Sequence, residues 1–171
     1  GMTTLTWDRH HGHAWSYDVV ELGYNYRIDE IRSALGIVQL KHLAEKNKKR
    51  KILTSYYKEK LGQYANEFTL PFSNHPGNSS HHIFPIILDQ KIDRNSFTSY
   101  LKLKGIQTSL HYPPIHTFSY YKNKFNSKYI PQKTEQIAKR EVTLPLYPDM
   151  GFKNVDYINK HIELFLSIGC D

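Results

Sequence analysis

The 171-residue sequence has a single cysteine, Cys170, so no disulfide can form within one chain, and a reducing compartment is expected. No apolar run approaches the roughly 18 residues of a membrane-spanning helix. No basic stretch followed by an apolar segment marks a secretory leader. We therefore expect a cytoplasmic protein that does not enter a membrane, and its 39% of hydrophobic residues suffices for an ordinary core.

Several catalytic motifs are also missing. The sequence contains no Gly-x-Gly-x-x-Gly and no lysine loop of the Walker type, so a nucleotide-binding fold is not supported. No serine lies in a strand–Gly-x-Ser-x-Gly–helix context, and Cys170 is too close to the C-terminus for a nucleophile. Taken by themselves, the residues do not make a complete active site.

The net charge of +7 is concentrated in one run, Lys46–Lys51. A run of cations on a helix is usually a solvated face, and nucleic-acid binding is not expected. The alternative function is a non-enzymatic interaction module, such as a DNA-associated regulator that uses this basic helix face.

Apolar residues recur with helical spacing from Ile31 to Tyr56, which predicts an amphipathic helix, or two helices end to end, over residues 28–65. Asp29 precedes this run and can cap it. Residues 1–27 read as an N-terminal arm and loop, and residues 28–171 as one domain. The arm carries Trp7 and Trp15, which we expect to pack on something absent from this chain, either a further domain or a partner subunit.

Short strands and helices follow the long helix, which predicts an α+β fold with a small antiparallel or mixed sheet covered by helices. Pro85 suggests that its strand is an edge strand or contains a bulge. Residues 120–129 read as a polar, aromatic surface segment. Strands are predicted at 68–71, 82–88, 106–110 and 142–146, and further helices at 93–104, 132–140 and 154–168.

Two groups of histidines are candidates for binding. His10, His11 and His13 could hold a metal, but no paired Cys/His set accompanies them, so no metal site is expected. His82, His111 and His116 fall on a strand end and on a loop that two prolines make rigid, where side chains can converge. Partly buried or hydrogen-bonded histidines would give the same pattern.

The loop Gly23–Arg27 reads Gly-Tyr-Asn-Tyr-Arg and leads into the positive end of the long helix, where an anion such as phosphate is favoured. This motif resembles that of the DegT/DnrJ/StrS family of pyridoxal-phosphate (PLP) dependent sugar aminotransferases. Four further motifs, in the same order, are similar to those of the family: residues 34–40, Ser80–Phe84, Gly105–His116 and Glu141–Pro148.

The resemblance implies the C-terminal small domain of a type I PLP fold and a homodimer. The family transfers an amino group, usually from glutamate, to the keto carbon of a nucleotide-linked sugar. By this likeness Asn25 contacts the PLP phosphate of the neighbouring subunit, and Tyr24 and Arg27 shape the same loop. The residues that the likeness places near the sugar-nucleotide substrate are His82, His111 and Tyr112.

The sequence departs from the family in one respect that matters for catalysis. The family's Schiff-base lysine lies upstream of the Gly-Tyr-Asn-Tyr-Arg motif, and no lysine precedes Lys41 here. PLP chemistry needs an amine nucleophile that holds the cofactor. We therefore expect an aminotransferase domain that is catalytically incomplete and binds no PLP on its own.

Overall fold

The computed structural model describes residues 18, 20–24, 26–72, 75–125 and 131–168. The chain divides into two compact units, Gly1–Lys41 and His42–Asp171. The first unit contains the loop before the long helix and the first turns of that helix, and the second contains the sheet and the remaining helices. The division predicted between residues 27 and 28 stays a prediction, and Trp7 and Trp15 lie outside the described residues.

The long helix, α1, spans Glu30–Leu61 without interruption and ends in a 3-10 turn at Gly62–Tyr64. A single helix is therefore correct. Asp29 begins it as predicted, because its Oδ1 accepts the backbone N–H of Arg32 at 2.8 Å. The predicted apolar face is only partly buried. Its N-terminal members are exposed, whereas the buried residues are near the C-terminal end: Leu53, Thr54, Tyr57 and Leu61.

The sheet has three antiparallel strands, β1 (Phe68–Thr69), β2 (Phe84–Leu88) and β3 (Glu141–Leu144), in the order β1-β2-β3. In the β2–β3 ladder Phe84 lies opposite Leu144 and Ile87 opposite Glu141. This confirms the predicted α+β fold with a small antiparallel sheet. No helix among the described residues combines the length and apolar character needed to cross a membrane.

Pro85 lies in the central strand, so the prediction of an edge strand is wrong in terms of strand order. The reason for that prediction is that proline cannot donate a hydrogen bond to a neighbouring strand, and the sheet respects this constraint at Pro85. The N–H of Leu88 points to the carbonyl of Arg140 on the β3 side, and directions alternate along a strand, so the nitrogen of Pro85 points away from β3. On that side β1 pairs only with Ile87 and Leu88, and no β1 residue lies opposite Pro85.

Four shorter helices lie in the described part of the chain: α2 (Arg94–Leu103), α3 (Ser119–Phe125), α4 (Gln132–Ala138) and α5 (Phe152–Ile168). Asp93 caps α2 by accepting the N–H of Ser96 at 2.7 Å. Gly105, at φ +73°, ends this helix as expected. The surface segment predicted at 120–129 is helical as far as Phe125.

The strand predicted at 106–110 does not form. Only Ser109 pairs with β3, in a single bridge to Thr143. Two residues later the N–H of His111 turns to the side-chain Oε2 of Glu141, at 3.1 Å, instead of a backbone carbonyl. Pro113 and Pro114 then lack N–H groups for any further pairing. A side chain and two prolines therefore replace the expected ladder.

The core of the second unit forms where the C-terminal part of α1, the sheet, α2 and α5 meet. Tyr57 is fully buried, and its ring stacks on Phe84 with centroids 4.6 Å apart. Its hydroxyl donates to the carbonyl of Pro145 at 2.9 Å. Burial raises the pKa of this phenol well above its ordinary value. Tyr57 therefore connects α1 to β2 and to the chain after β3.

We predict that Tyr57→Phe lowers the free energy of unfolding by about 1–2 kcal/mol, because the carbonyl of Pro145 loses its donor while the stacked ring is kept. Urea unfolding followed by circular dichroism measures the change. Tyr120→Phe, at an exposed position, is the matched control and should leave stability unaltered. Equal effects of the two substitutions would contradict the role given to the buried hydroxyl.

Candidate functional site

The loop before α1 presents aromatic side chains. Tyr24 and Tyr26 are 82% and 86% exposed, and their ring centroids lie 5.8 Å apart. Arg27 is also exposed. Asn25, for which a contact with the PLP phosphate is predicted, lies outside the described residues. The described part of the loop therefore offers rings and a cation close to the start of α1, and the predicted roles stay predictions.

A hydrogen-bonded cluster surrounds His111. Its Nδ1 lies 2.9 Å from Oγ1 of Thr143, and its backbone N–H donates to Oε2 of Glu141 at 3.1 Å. The Thr143 hydroxyl donates to Oε1 of the same carboxylate at 2.5 Å. Glu141 and Thr143 are each only 5% exposed, whereas His111 is half-buried. The cluster fixes the imidazole of His111 against β3 and leaves part of it accessible.

The other two predicted substrate contacts differ in their relation to this cluster. Tyr112 packs its ring edge against His111 with centroids 4.8 Å apart, and 73% of it is exposed. His82 is exposed and lies shortly before β2. At that end of the β2–β3 ladder Phe84 faces Leu144, whereas Glu141 lies at the other end. The structure thus brings His111 and Tyr112 together. Among the described residues, it records no contact between His82 and either of them.

A second histidine holds the proline-containing loop in place. His116, in the 3-10 turn Ile115–Thr117, lies with Nε2 2.9 Å from Oε1 of Glu135 on α4. This hydrogen bond lowers the pKa of the Glu135 carboxyl, because it favours the charged form. Both side chains are about 30% exposed. His116 is therefore a hydrogen-bonded structural histidine, as the simpler interpretation of the sequence expected.

A basic cavity of about 640 Å³ lies between α1, the end of β1 and the segment before β2. Lys51 and Lys58 line it together with His81. The pKa of His81 is lowered, first by burial and then by the positive charges of Lys51, Lys58 and Arg50. The cavity is thus a region of positive potential beside the segment that carries His82.

Part of the basic run on α1 is used within the chain. Lys49 contacts Oε1 of Glu45 at 3.0 Å and Oδ1 of Asp149 at 3.5 Å, and Arg50 donates to the carbonyl of Ser80 at 3.4 Å. The hydrogen bond to Glu45 is the main cause that raises the pKa of Lys49. These contacts fit the expected solvated helix face. No observation favours the nucleic-acid alternative, which stays a hypothesis.

The described residues contain no group of three or more His, Cys, Asp or Glu side chains arranged to hold a metal ion. His10, His11 and His13 lie outside the described residues, so the structure does not test that alternative.

The lysines bear on whether this chain could hold PLP. None of those in the described part is buried. The pKa of Lys60 is raised, chiefly by its hydrogen bond to Tyr56, and that of Lys49 is raised by Glu45. A lysine that attacks a carbonyl must lose its proton, which requires the opposite change. Neither Lys60 nor Lys49 is therefore prepared for Schiff-base formation, and the expectation that the chain binds no PLP on its own stays a prediction.

Sequence reasoning missed three residues of this region as functional candidates: Glu135, Glu141 and Thr143. For two of them a signal existed. Glu141 and Thr143 are spaced i, i+2 in a strand, so both side chains lie on one face, and Glu is almost never fully buried unless it has a partner. That pattern could have indicated a hydrogen-bonded partner for the nearby histidine loop.

Comparison with known proteins places this geometry in context. The sequence profile of the DegT/DnrJ/EryC1/StrS aminotransferase family matches residues 2–163. The UDP-4-amino-4,6-dideoxy-N-acetyl-beta-L-altrosamine transaminase of Campylobacter jejuni is 31% identical over 146 residues, which are 84% of this chain and 38% of that protein. The spore coat polysaccharide biosynthesis protein SpsC of Bacillus subtilis is 31% identical over 162 residues, 91% of this chain and 41% of SpsC.

Among solved structures, PseC of Helicobacter pylori, an aminotransferase involved in the biosynthesis of pseudoaminic acid, matches with a TM-score of 0.75 and 27% identity. The match covers 86% of this chain and 40% of PseC. The chain thus spans about two fifths of the length of these relatives.

We predict that Glu135→Gln lowers the free energy of unfolding at neutral pH but has little effect once the pH is below the lowered folded-state pKa of Glu135. Because the folded-state pKa of Glu135 is lowered, the folded chain binds fewer protons than the unfolded chain near pH 4. The contribution of the charged group is therefore present above that range and lost as the pH falls through the folded-state pKa. Urea unfolding at neutral and acidic pH, with Glu59→Gln as the exposed control, measures it. A deficit that persists unchanged in acid would refute the assignment.

Proposed function

Because the chain belongs to the DegT/DnrJ/EryC1/StrS aminotransferase family, we propose that it supplies the C-terminal part of a PLP-dependent aminotransferase that acts on a nucleotide-linked keto sugar. The observation that carries the proposal is the family match over residues 2–163, with relatives whose names include a UDP-sugar transaminase. The amino donor would be glutamate. The shared fold with PseC over 86% of the chain supports the same conclusion.

The proposal assigns roles to the residues identified from the sequence. Asn25 contacts the PLP phosphate of the neighbouring subunit, and Tyr24 and Arg27 shape the loop that carries it. An amide at the entry to a helix suits a phosphate, because free backbone N–H groups and the helix dipole favour an anion there. The exposure of Tyr24 and Arg27 supports a loop that is available to a partner.

The substrate side of the proposal rests on the histidine cluster. His111 and Tyr112 form a fixed yet accessible pair, which suits contact with a bound sugar nucleotide. His82 contributes from the segment before β2, next to His81 of the basic cavity. These side chains bind and orient substrate. PLP, supplied with its lysine by the part of the enzyme that these 171 residues do not span, would serve as the electron sink.

We predict that this chain, mixed with PLP and reduced with borohydride, is labelled at several surface lysines at low occupancy, because none of its described lysines is buried. Peptide mapping by mass spectrometry measures the occupancy at each site. Lys48→Arg, which removes one exposed lysine of the basic run, should merely redistribute the label. Stoichiometric labelling of a single lysine would show that the chain holds PLP by itself, and the proposal of an incomplete domain would be wrong.

We further propose that two copies of the chain associate as a homodimer. Apolar side chains on one face of the first half of α1 are exposed, including Ile31 at 83%, Leu35 at 61% and Val38 at 49%. Such a stripe of exposed apolar residues on one helix commonly marks an interaction surface.

Sedimentation velocity at increasing concentration should show a dimer, and Leu35→Glu with Val38→Glu should give a monomer, because charges would enter an apolar contact. Leu103→Glu, at a position that is 84% exposed outside α1, is the control and should leave the dimer intact. A compact monomer at every concentration, with tryptophan emission typical of buried indoles, would argue against the dimer.

A further inference from the structure

The polar contacts around Glu141 determine where protons lie in the cluster. Both carboxylate oxygens are occupied, Oε2 by the backbone N–H of His111 at 3.1 Å and Oε1 by the hydroxyl of Thr143 at 2.5 Å. A backbone N–H can only donate, and an ionised carboxylate can only accept. The whole Glu141 residue is only 5% exposed, so water does not readily replace these two hydrogen-bond donors.

The hydroxyl of Thr143 has one proton, and it is given to Glu141. Towards the imidazole nitrogen 2.9 Å away, the same oxygen can therefore only accept a hydrogen bond. Nδ1 of His111 must then carry a proton. In the neutral ring the lone pair consequently lies on Nε2, to which no other described residue is hydrogen-bonded.

We propose that Glu141 and Thr143 are positioning residues that hold His111 as the Nδ1–H tautomer, so that Nε2 accepts a hydrogen bond from a hydroxyl or N–H group of the substrate. This inference rests on the proposed function, which brings a sugar nucleotide to His111. It also limits the chemical groups of the substrate that His111 can bind. In the neutral ring the lone pair on Nε2 attracts the hydroxyl or amide groups of a sugar and repels the oxygens of a diphosphate.

His116 provides an internal reference of the opposite kind. Its Nε2 faces Oε1 of Glu135 at 2.9 Å, so that nitrogen must be the donor. The two histidines of one loop should therefore carry their protons on different nitrogens. A general preference of imidazole in water would instead give both rings the same tautomer.

The first test is a long-range ¹H–¹⁵N correlation spectrum of the histidine rings of the full 171-residue chain, at about pH 8.5, above the ordinary histidine range. We expect the Nδ1–H pattern for His111 and the Nε2–H pattern for His116. His111→Gln and His116→Gln assign the signals. An Nε2–H pattern for His111 overturns the proposal whatever the variants show.

Two substitutions test whether Glu141 sets the tautomer. In Glu141→Gln the side-chain oxygen can still accept the His111 N–H while its NH₂ donates to Thr143, which reverses the hydroxyl and should move the His111 proton to Nε2. Thr143→Ser keeps the hydroxyl and should keep the Nδ1–H pattern. If Glu141→Gln leaves the pattern unchanged, or if Thr143→Ser abolishes it in a folded protein, the relay is wrong.

Calorimetric titration tests the ligand class with UDP-N-acetylglucosamine and with UDP alone as probes. We expect Glu141→Gln to weaken the sugar-bearing probe about tenfold, because a donor replaces the acceptor at Nε2, and to leave UDP unchanged. Equal affinities for the sugar probe, or tighter binding of UDP by the variant, overturn the assigned ligand. If the wild-type chain binds neither probe, the assigned ligand class fails, whereas the ring spectrum still decides the tautomer and the lysine labelling still tests the proposed incomplete domain.

Discussion

Tyr57 makes the contact on which the sheet and the segments beside it depend. Its ring lies against Phe84 of β2, and its hydroxyl holds the carbonyl of Pro145, which follows β3 directly. Pro145 lies beyond the last paired residue of β3, so its carbonyl takes a donor from elsewhere in the fold instead of from a strand partner. One side chain of α1 thereby contacts both β2 and the residue that follows β3, and it holds these two strands in position against the helix.

The candidate site lies on the edge of β3 that faces away from β2. A carboxylate in a strand would normally be a liability in the interior, because burial penalises its charge. Here the strand edge is left open by the single bridge at Ser109, and the arriving loop brings an N–H group to satisfy the charge. The failure of the expected fourth strand and the anchoring of His111 are thus one structural event: the loop binds to a side chain where a strand would bind to the backbone.

Local signals were enough for much of the fold. Asp29 and Asp93 begin their helices as their side-chain chemistry predicts, and the apolar rhythm of 154–168 gives α5. Signals that depend on distant partners were insufficient. The β-favouring residues 106–110 do not reveal that the backbone N–H of the following residue, His111, donates to the carboxylate of Glu141, 30 residues away. Likewise, periodicity in α1 identifies an apolar face but contains no information about what covers it.

Pro85 has a consequence for how the sheet behaves among other chains. Beyond the two residues of β1, no described strand pairs with the side of β2 that faces away from β3, and an unpaired strand edge can pair with strands of neighbouring molecules. At Pro85 that edge has no backbone donor to offer, because the ring nitrogen points there without a hydrogen. The shortness of β1 therefore carries less risk: at the residue that β1 leaves unpaired, a foreign strand finds a carbonyl but no N–H group, which disfavours pairing through this edge.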